Sequence, residues 1–288
     1  MHSPSRTGFI KPHLLLLTSL FLILISSCKS GNDPEDRGAD CAAPNIFTIV
    51  DEIRPTNLSE PSGIVFHEIR NTLYVVEDEG DVVEVALDGT TVDREQVRQA
   101  DFEGITVDPS TGLLYIVIED ESLVLEVDPG NFDVEEEYLI DWTLSGSPVI
   151  NSEALAIEGI TFRPDSQHVQ GGVFYLANKS SLIDDPDNPS AIFEVELPIK
   201  DQSNGSTGRV IRSIPLQLGS VSGLHYDAVT NGFLAVSDNR NAVFSLGLNG
   251  DIRSCYRIPG TQQEGIAFDT TGSAYIVDDA GGLIYKMR

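Results

Sequence analysis

Three glutamates and two serines hold the same place in a phrase that recurs along the chain. The phrase reads Glu103-Gly104-Ile105-Thr106-Val107-Asp108 in one copy and Glu264-Gly265-Ile266-Ala267-Phe268-Asp269 in another. Glu158-Gly159-Ile160-Thr161-Phe162 is a third copy. Ser62-Gly63-Ile64-Val65-Phe66 and Ser222-Gly223-Leu224-His225-Tyr226-Asp227 carry serine where the glutamate stood. If the fold gathers the leading positions, Glu103, Glu158 and Glu264 become like charges in one place. Such carboxylates repel unless a cation or protons neutralise them, and hard oxygen ligands favour Ca2+ or Mg2+. The competing reading is that they accept hydrogen bonds from backbone N–H groups and organise the site without metal. Each phrase is followed by a second apolar run that closes on acids or amides: Glu77-Asp78, Glu119-Asp120, Asn178, Asp238-Asn239 and Asp278-Asp279. Such residues at strand ends usually bond to nearby turn backbone. Ligand roles are the alternative for Glu77, Asp78, Glu119, Asp120, Asn178, Asp238 and Asp278.

The elements that must position these side chains follow from the same text. Each phrase reads as a short strand, a turn and a second apolar strand. The glycines Gly63, Gly104, Gly159, Gly223 and Gly265 are spaced 41, 55, 64 and 42 residues apart. Repeats of this period with short strands predict an all-β fold, a β-propeller of five blades with four antiparallel strands each. Six blades is the alternative, if the insertion over 141–156 and the loops after it hide a degenerate one. Each repeat begins at the innermost strand, so Ser62, Glu103, Glu158, Ser222 and Glu264 are expected to line a central channel. The glycine beside each suits a place where inner strands crowd together. The last repeat is one strand short and the stretch 46–53 is one strand spare. It is therefore expected to close the ring as the outer strand of the last blade, which removes an open sheet edge.

Composition narrows the function. The 288 residues carry 45 acids against 18 Lys and Arg, a formal net charge of −27. Nucleic-acid binding needs clustered basic residues, and none occur. No Gly-x-Ser-x-Gly elbow, His-Glu-x-x-His helix or Cys-x-x-Cys is present. Beyond the N-terminal leader the histidines are His67, His168 and His225. His225 stands three residues after Ser222, on the other side of an alternating strand, and reads as a packed histidine rather than a general base.

Arg6 and Lys11 precede an apolar run over 14–25 that is short for a membrane span. It ends Ile25-Ser26-Ser27-Cys28, which resembles a bacterial lipobox. Residues 1–27 are therefore read as a lipoprotein signal peptide and Cys28 as the lipidated residue. Residues 28–44 are read as an acidic tether, and 45–288 as the propeller domain. The expected location is the bacterial cell envelope, lipid-anchored at the outer membrane.

The pattern Glu/Ser-Gly-Ile, followed by an apolar Tyr-containing run ending in Asp, resembles the SdiA-regulated family of propellers. It is more distantly similar to NHL-repeat and gluconolactonase or regucalcin propellers. The phrases that carry the resemblance are Asp101-Phe102-Glu103-Gly104-Ile105, Ser222-Gly223-Leu224-His225-Tyr226-Asp227 and Glu264-Gly265-Ile266-Ala267. The long insertions in repeats two and three depart from it. In gluconolactonase-type propellers the residue before this glycine supplies metal ligands. The resemblance therefore implies that Glu103, Glu158 and Glu264 hold Ca2+.

Two functions are in view. One is a non-catalytic binding or sensing propeller with a cation in its channel and an unknown small-molecule or protein ligand. The other is a calcium-dependent hydrolase acting on lactones or phosphoesters, with Glu77 or Asp278 as base. With Cys28 assigned to lipid, Cys41 and Cys255 are left. Cys41 lies just before the closing strand, and Cys255 lies on the outer strand of the neighbouring blade. A Cys41–Cys255 disulfide pinning the closing strand is expected; the rival reading is two unpaired thiols, with Cys41 loose in the tether and Cys255 packed on the sheet.

Overall fold

The computed structural model describes Cys41 and residues 45–119, 121–151, 155–183, 185–203 and 205–288. All of them fall in one compact unit, Pro34–Arg288. Asp120, Cys28, the leader 1–27 and the tether apart from Cys41 lie outside the described residues.

Two short strands open the chain, β1 (Asn45–Ile46) and β2 (Ile49–Ile53). Repeat one is β3 (Pro61–His67), β4 (Thr72–Glu77), β5 (Asp81–Ala86) and β6 (Thr91–Gln96). Repeat two is β7 (Phe102–Val107), β8 (Leu114–Ile118), β9 (Leu123–Val127) and β10 (Val134–Asp141). A small hairpin of β11 (Thr143–Leu144) and β12 (Ser147–Pro148) follows. Repeat three is β13 (Ile157–Pro164), β14 (Gly172–Asn178), β15 (Ala191–Glu196) and β16 (Thr207–Pro215). Repeat four is β17 (Val221–Asp227), β18 (Gly232–Ser237), β19 (Ala242–Gly247) and β20 (Ile252–Arg257). Repeat five is β21 (Gln263–Phe268), β22 (Ala274–Asp278) and β23 (Leu283–Met287). Within each repeat successive strands pair antiparallel.

The first strands touch in a closed cycle: β3 on β7, β7 on β13, β13 on β17, β17 on β21, and β21 back on β3. The core follows the same cycle. Tyr74 and Val76 pack with Ile116 and Leu125 between repeats one and two. Tyr115 and Val117 pack with Phe174 and Phe193 between two and three. Tyr175 and Ala177 meet Phe233 and Phe244, and Val236 and Val243 meet Ile266 and Ile276. Val277 and Tyr275 meet Ile64 and Val75, which completes the round. A second strand such as β8 or β14 is buried along its whole length, because neighbours cover both its faces. That is why these strands are continuous apolar runs and not alternating ones. The outer β6 is mostly exposed.

The closing strand differs from expectation in one respect. The stretch 46–53 is not one strand. β2 pairs antiparallel with β23 and supplies repeat five with its fourth strand. Asn45–Ile46 instead runs parallel to β20 of repeat four, and the Phe47 ring packs on Tyr256 with centroids 4.9 Å apart. Cys41 and Cys255 are joined by a disulfide with Cα atoms 5.8 Å apart, as expected. A second departure is that the outer strands β10 and β16 also pair in parallel, fusing repeats two and three into one eight-stranded sheet. The insertion over 141–156 forms no further sheet among the described residues beyond β11 and β12. It packs Trp142 edge-on against Phe193, with its indole N–H donating to Ser122 Oγ at 3.0 Å.

Candidate functional site

The ring geometry explains the repeated phrase. In each first strand the pairing register breaks at the glycine step: between Pro61 and Gly63, Phe102 and Ile105, Ile157 and Gly159, Val221 and Gly223, and Gln263 and Ile266. This β-bulge leaves the residue before the glycine out of the ladder and re-aims its side chain. The glycines let neighbouring repeats approach. A Cβ on Gly223 would stand 2.2 Å from the Glu264 carbonyl oxygen, and one on Gly63 would stand 2.5 Å from that of Glu103. Ser62, Glu158, Ser222 and Glu264 border a central space of about 10 Å³, room for about one water-sized group.

A cation already stands at this opening, and it is a side chain. Lys179 Nζ lies 2.8 Å from Glu158 Oε2, 3.4 Å from Asp238 Oδ2 and 3.8 Å from Glu264 Oε2. Its backbone N–H donates to Ala156 O at 2.7 Å, so the end of the 141–156 insertion fixes it. Glu103 takes a different partner set. Oxygens of Asp101, Glu103 and Glu119 lie within 4.8 Å of one another, a hard-oxygen group of the kind divalent cations use. The three expected metal ligands are thus divided, with Glu158 and Glu264 on Lys179 and Glu103 in a carboxylate cluster beside them.

The acids at the second-strand ends also divide by position. The first column is structural in repeats one, three, four and five, where it ties the repeat to the loop leading into it; repeat two carries Ile118 there. Glu77 Oε1 accepts from Ser59 N–H at 2.5 Å, and its other oxygen pairs with Arg94. Asn178 Oδ1 accepts from Ala156 N–H at 3.1 Å, and Asp278 Oδ2 accepts from Thr261 N–H at 2.9 Å. Ser237 Oγ donates to Gly219 O at 2.9 Å. The next column turns to the channel. Asp78 accepts from Ser62 Oγ, Glu119 joins Glu103, and Asp238 reaches Lys179. Lys179 itself occupies this column in repeat three, where the others carry Asp78, Glu119, Asp238 and Asp279. Ser222 donates to Gln263 O at 2.7 Å and so braces repeat four against repeat five.

Burial and mutual repulsion set the charge state. Burial, then the charges of Glu158, Glu119 and Asp101, push the Glu103 carboxyl well above its usual range. Burial raises Glu158 as well, against the pull of Lys179. Glu264 is pushed up to about 8 by burial, against Lys179 and with Glu158 and Asp238 adding to the rise. Burial pulls the Lys179 ammonium down, but Glu158 and Glu264 outweigh it and hold it above its ordinary value. His225 lies away from this mouth with its ring 5.2 Å from that of Phe268, and burial drives it down to about 4.

A closed cycle of bulged inner strands around an axial channel defines a β-propeller. The profile of the SdiA-regulated family matches residues 45–288, and the chain belongs to that family. The fold is similar to glutaminyl cyclase from Myxococcus xanthus, with a TM-score of 0.60 at 14% identity over 84% of this chain and 96% of that one. Virginiamycin B lyase from Staphylococcus aureus matches with a TM-score of 0.43 at 18% identity, over 83% of this chain and 70% of that one. The nidogen/laminin complex matches with a TM-score of 0.47 at 16% identity, over 80% of each chain. No curated protein matches the sequence significantly.

Proposed function

We propose that the chain is a five-bladed binding or sensing propeller, lipid-anchored through Cys28 at the outer membrane of a bacterial envelope. The closed cycle of first strands supports the blade count, each blade being one repeat and the last completed by β2. The lipobox-like Ile25-Ser26-Ser27-Cys28 supports the anchor. The observation that carries the binding reading is Lys179. Its ammonium takes the place between Glu158 and Glu264 where a catalytic propeller would need an open metal position. The channel mouth is the ligand-facing side, and it suits a small molecule or protein segment that brings positive charge.

Within this reading Ca2+ binds at Asp101, Glu103 and Glu119, whose oxygens are close enough to share one ion. Calcium should raise the melting temperature of the EDTA-treated domain, and Glu103→Gln should abolish the rise. Identical melting in EDTA and in calcium, for parent and variant alike, would remove the ion from the proposal.

The same carboxylate cluster favours a second reading, a calcium-dependent hydrolase. A panel of lactones and phosphoesters, assayed with calcium and with EDTA, separates the two. Metal-dependent turnover lost in Glu103→Gln would replace the binding reading with the hydrolytic one.

A further inference from the structure

A second cavity lies away from the carboxylate mouth. It has a volume of about 650 Å³ and lies where repeats five, one and two meet, at the opposite ends of their first strands. Phe268 is four residues beyond Glu264, about 13 Å along the strand. The volume falls in the range of small-molecule sites.

The sequence explains why the space opens on this side. In repeats two and three the second residue after the glycine is threonine. Thr106 Oγ1 accepts the backbone N–H of Phe162 at 3.1 Å, and Thr161 Oγ1 that of Tyr226 at 2.8 Å. These bonds tie each repeat to the next. The corresponding residues of repeats one and five are Val65 and Ala267, which have no acceptor to offer. Repeats one and two are joined instead by His67, whose Nε2–H donates to Gly112 O at 2.9 Å while Nδ1 accepts from Arg70 N–H. Both ring nitrogens are thereby engaged, and the imidazole serves as wall.

The remaining lining has a definite chemistry. Phe66, Val107 and Phe268 are apolar walls, Ile69 stands 71% exposed at the edge, and Glu68 and Asp269 supply the charge. No Lys or Arg is among the described lining residues. Asp269 is held rigidly, with Oδ1 accepting from Thr271 N–H and Ser273 N–H and Oδ2 from Tyr275 O–H. Aromatic faces beside fixed negative charge attract organic cations, and the −27 net charge of the chain disfavours anions.

We propose that this far-end cavity is a second binding site, separate from the carboxylate mouth, for small organic cations with an aromatic or apolar body. The experiment is calorimetric titration of the whole chain with tryptamine and phenethylamine, each against its neutral alcohol, tryptophol and 2-phenylethanol. The amines should bind saturably and at least tenfold more tightly than the alcohols. Glu68→Lys and Ile69→Arg alter exposed positions and should leave the melting temperature unchanged. Each should weaken amine binding tenfold or more. Absence of saturable binding, alcohols binding as tightly as amines, or amine binding that survives both variants would each overturn the proposal.

Discussion

The ammonium of Lys179 stands 2.8 Å from Glu158 Oε2 and 3.8 Å from Glu264 Oε2, so two repeats share one positive charge supplied by a third residue of the ring. Glu158 is 5% exposed, and a carboxylate so placed is costly unless paired. The lysine therefore does structural work that a bound ion would otherwise do: it lets acids from repeats three and five approach the axis together.

Replacing Lys179 with Met should leave Glu158 and Glu264 without a counter-charge. Breaking a buried pair from one side costs about 3 kcal/mol or more. Protonation of the stranded carboxyls should offset part of that loss at low pH, so the deficit should be larger at pH 8 than at pH 5. Urea midpoints at the two pH values check this. The triple variant with Glu158→Gln and Glu264→Gln should recover much of the loss. A deficit that is the same at both pH values would contradict the pairing.

Glu264 should give the protein a measurable pH slope. Its pKa rises from 4.5 to about 8 on folding. Between these values the folded state keeps a proton that the unfolded state releases. Stability from this group is thus complete below pH 4.5 and declines as pH rises through about 8, by at most about 1.4 kcal/mol per pH unit. Glu264→Gln should flatten this decline relative to the parent. Parallel stability curves for the two proteins from pH 5 to 9 would refute it.

Much of this architecture was legible in the text. Bulge, glycine and apolar runs repeat because every inner strand meets the same crowding, so the ring and its closure by β2 could be read from spacing. Lys179 does not show in what the repeats share. The signal was a mismatch: a lysine in the column of Asp78, Glu119, Asp238 and Asp279. The parallel pairing of β10 with β16 leaves no comparable mark. It joins two outer edges far apart in sequence, and neither edge carries a pattern that names its partner. The split of the stretch 46–53 between β20 and β23 was hidden for the same reason.

The glycine ring should be intolerant in a position-dependent way. Gly223→Ala would place a Cβ 2.2 Å from the Glu264 carbonyl oxygen, and backbone on the adjacent repeat cannot swing aside as a flexible side chain can. Overpacking of this kind costs about 1–3 kcal/mol or more. Gly205 and Gly272 have open space around them, and alanine there meets only the left-handed backbone penalty of about 1–2 kcal/mol. Thermal melts of the three alanine variants should place Gly223→Ala lowest. Equal losses would mean that the close approach of repeats four and five is not what the glycine serves.

The Cys41–Cys255 disulfide should hold the chain's entry to the ring more than the ring itself. Cys41 is 1% exposed and packs beside Leu216, Leu218 and Phe244. The crosslink spans 214 residues of sequence, so the chain-entropy account allows on the order of 5 kcal/mol, with measured bridges more often at about 2–4. β1 is only two residues long and pairs with the strand that carries Cys255. Its two ladder positions give little independent hold, whereas β2 keeps its pairing to β23 and its buried Ile53. The Cys41→Ser and Cys255→Ser double variant should therefore lose about 2–4 kcal/mol by urea unfolding. Under native conditions, hydrogen exchange should accelerate first at Asn45 and Ile46 while β2 stays protected. Exchange that rises equally across β1 and β2 would show that the disulfide, and not pairing with β23, keeps the closing strand in place.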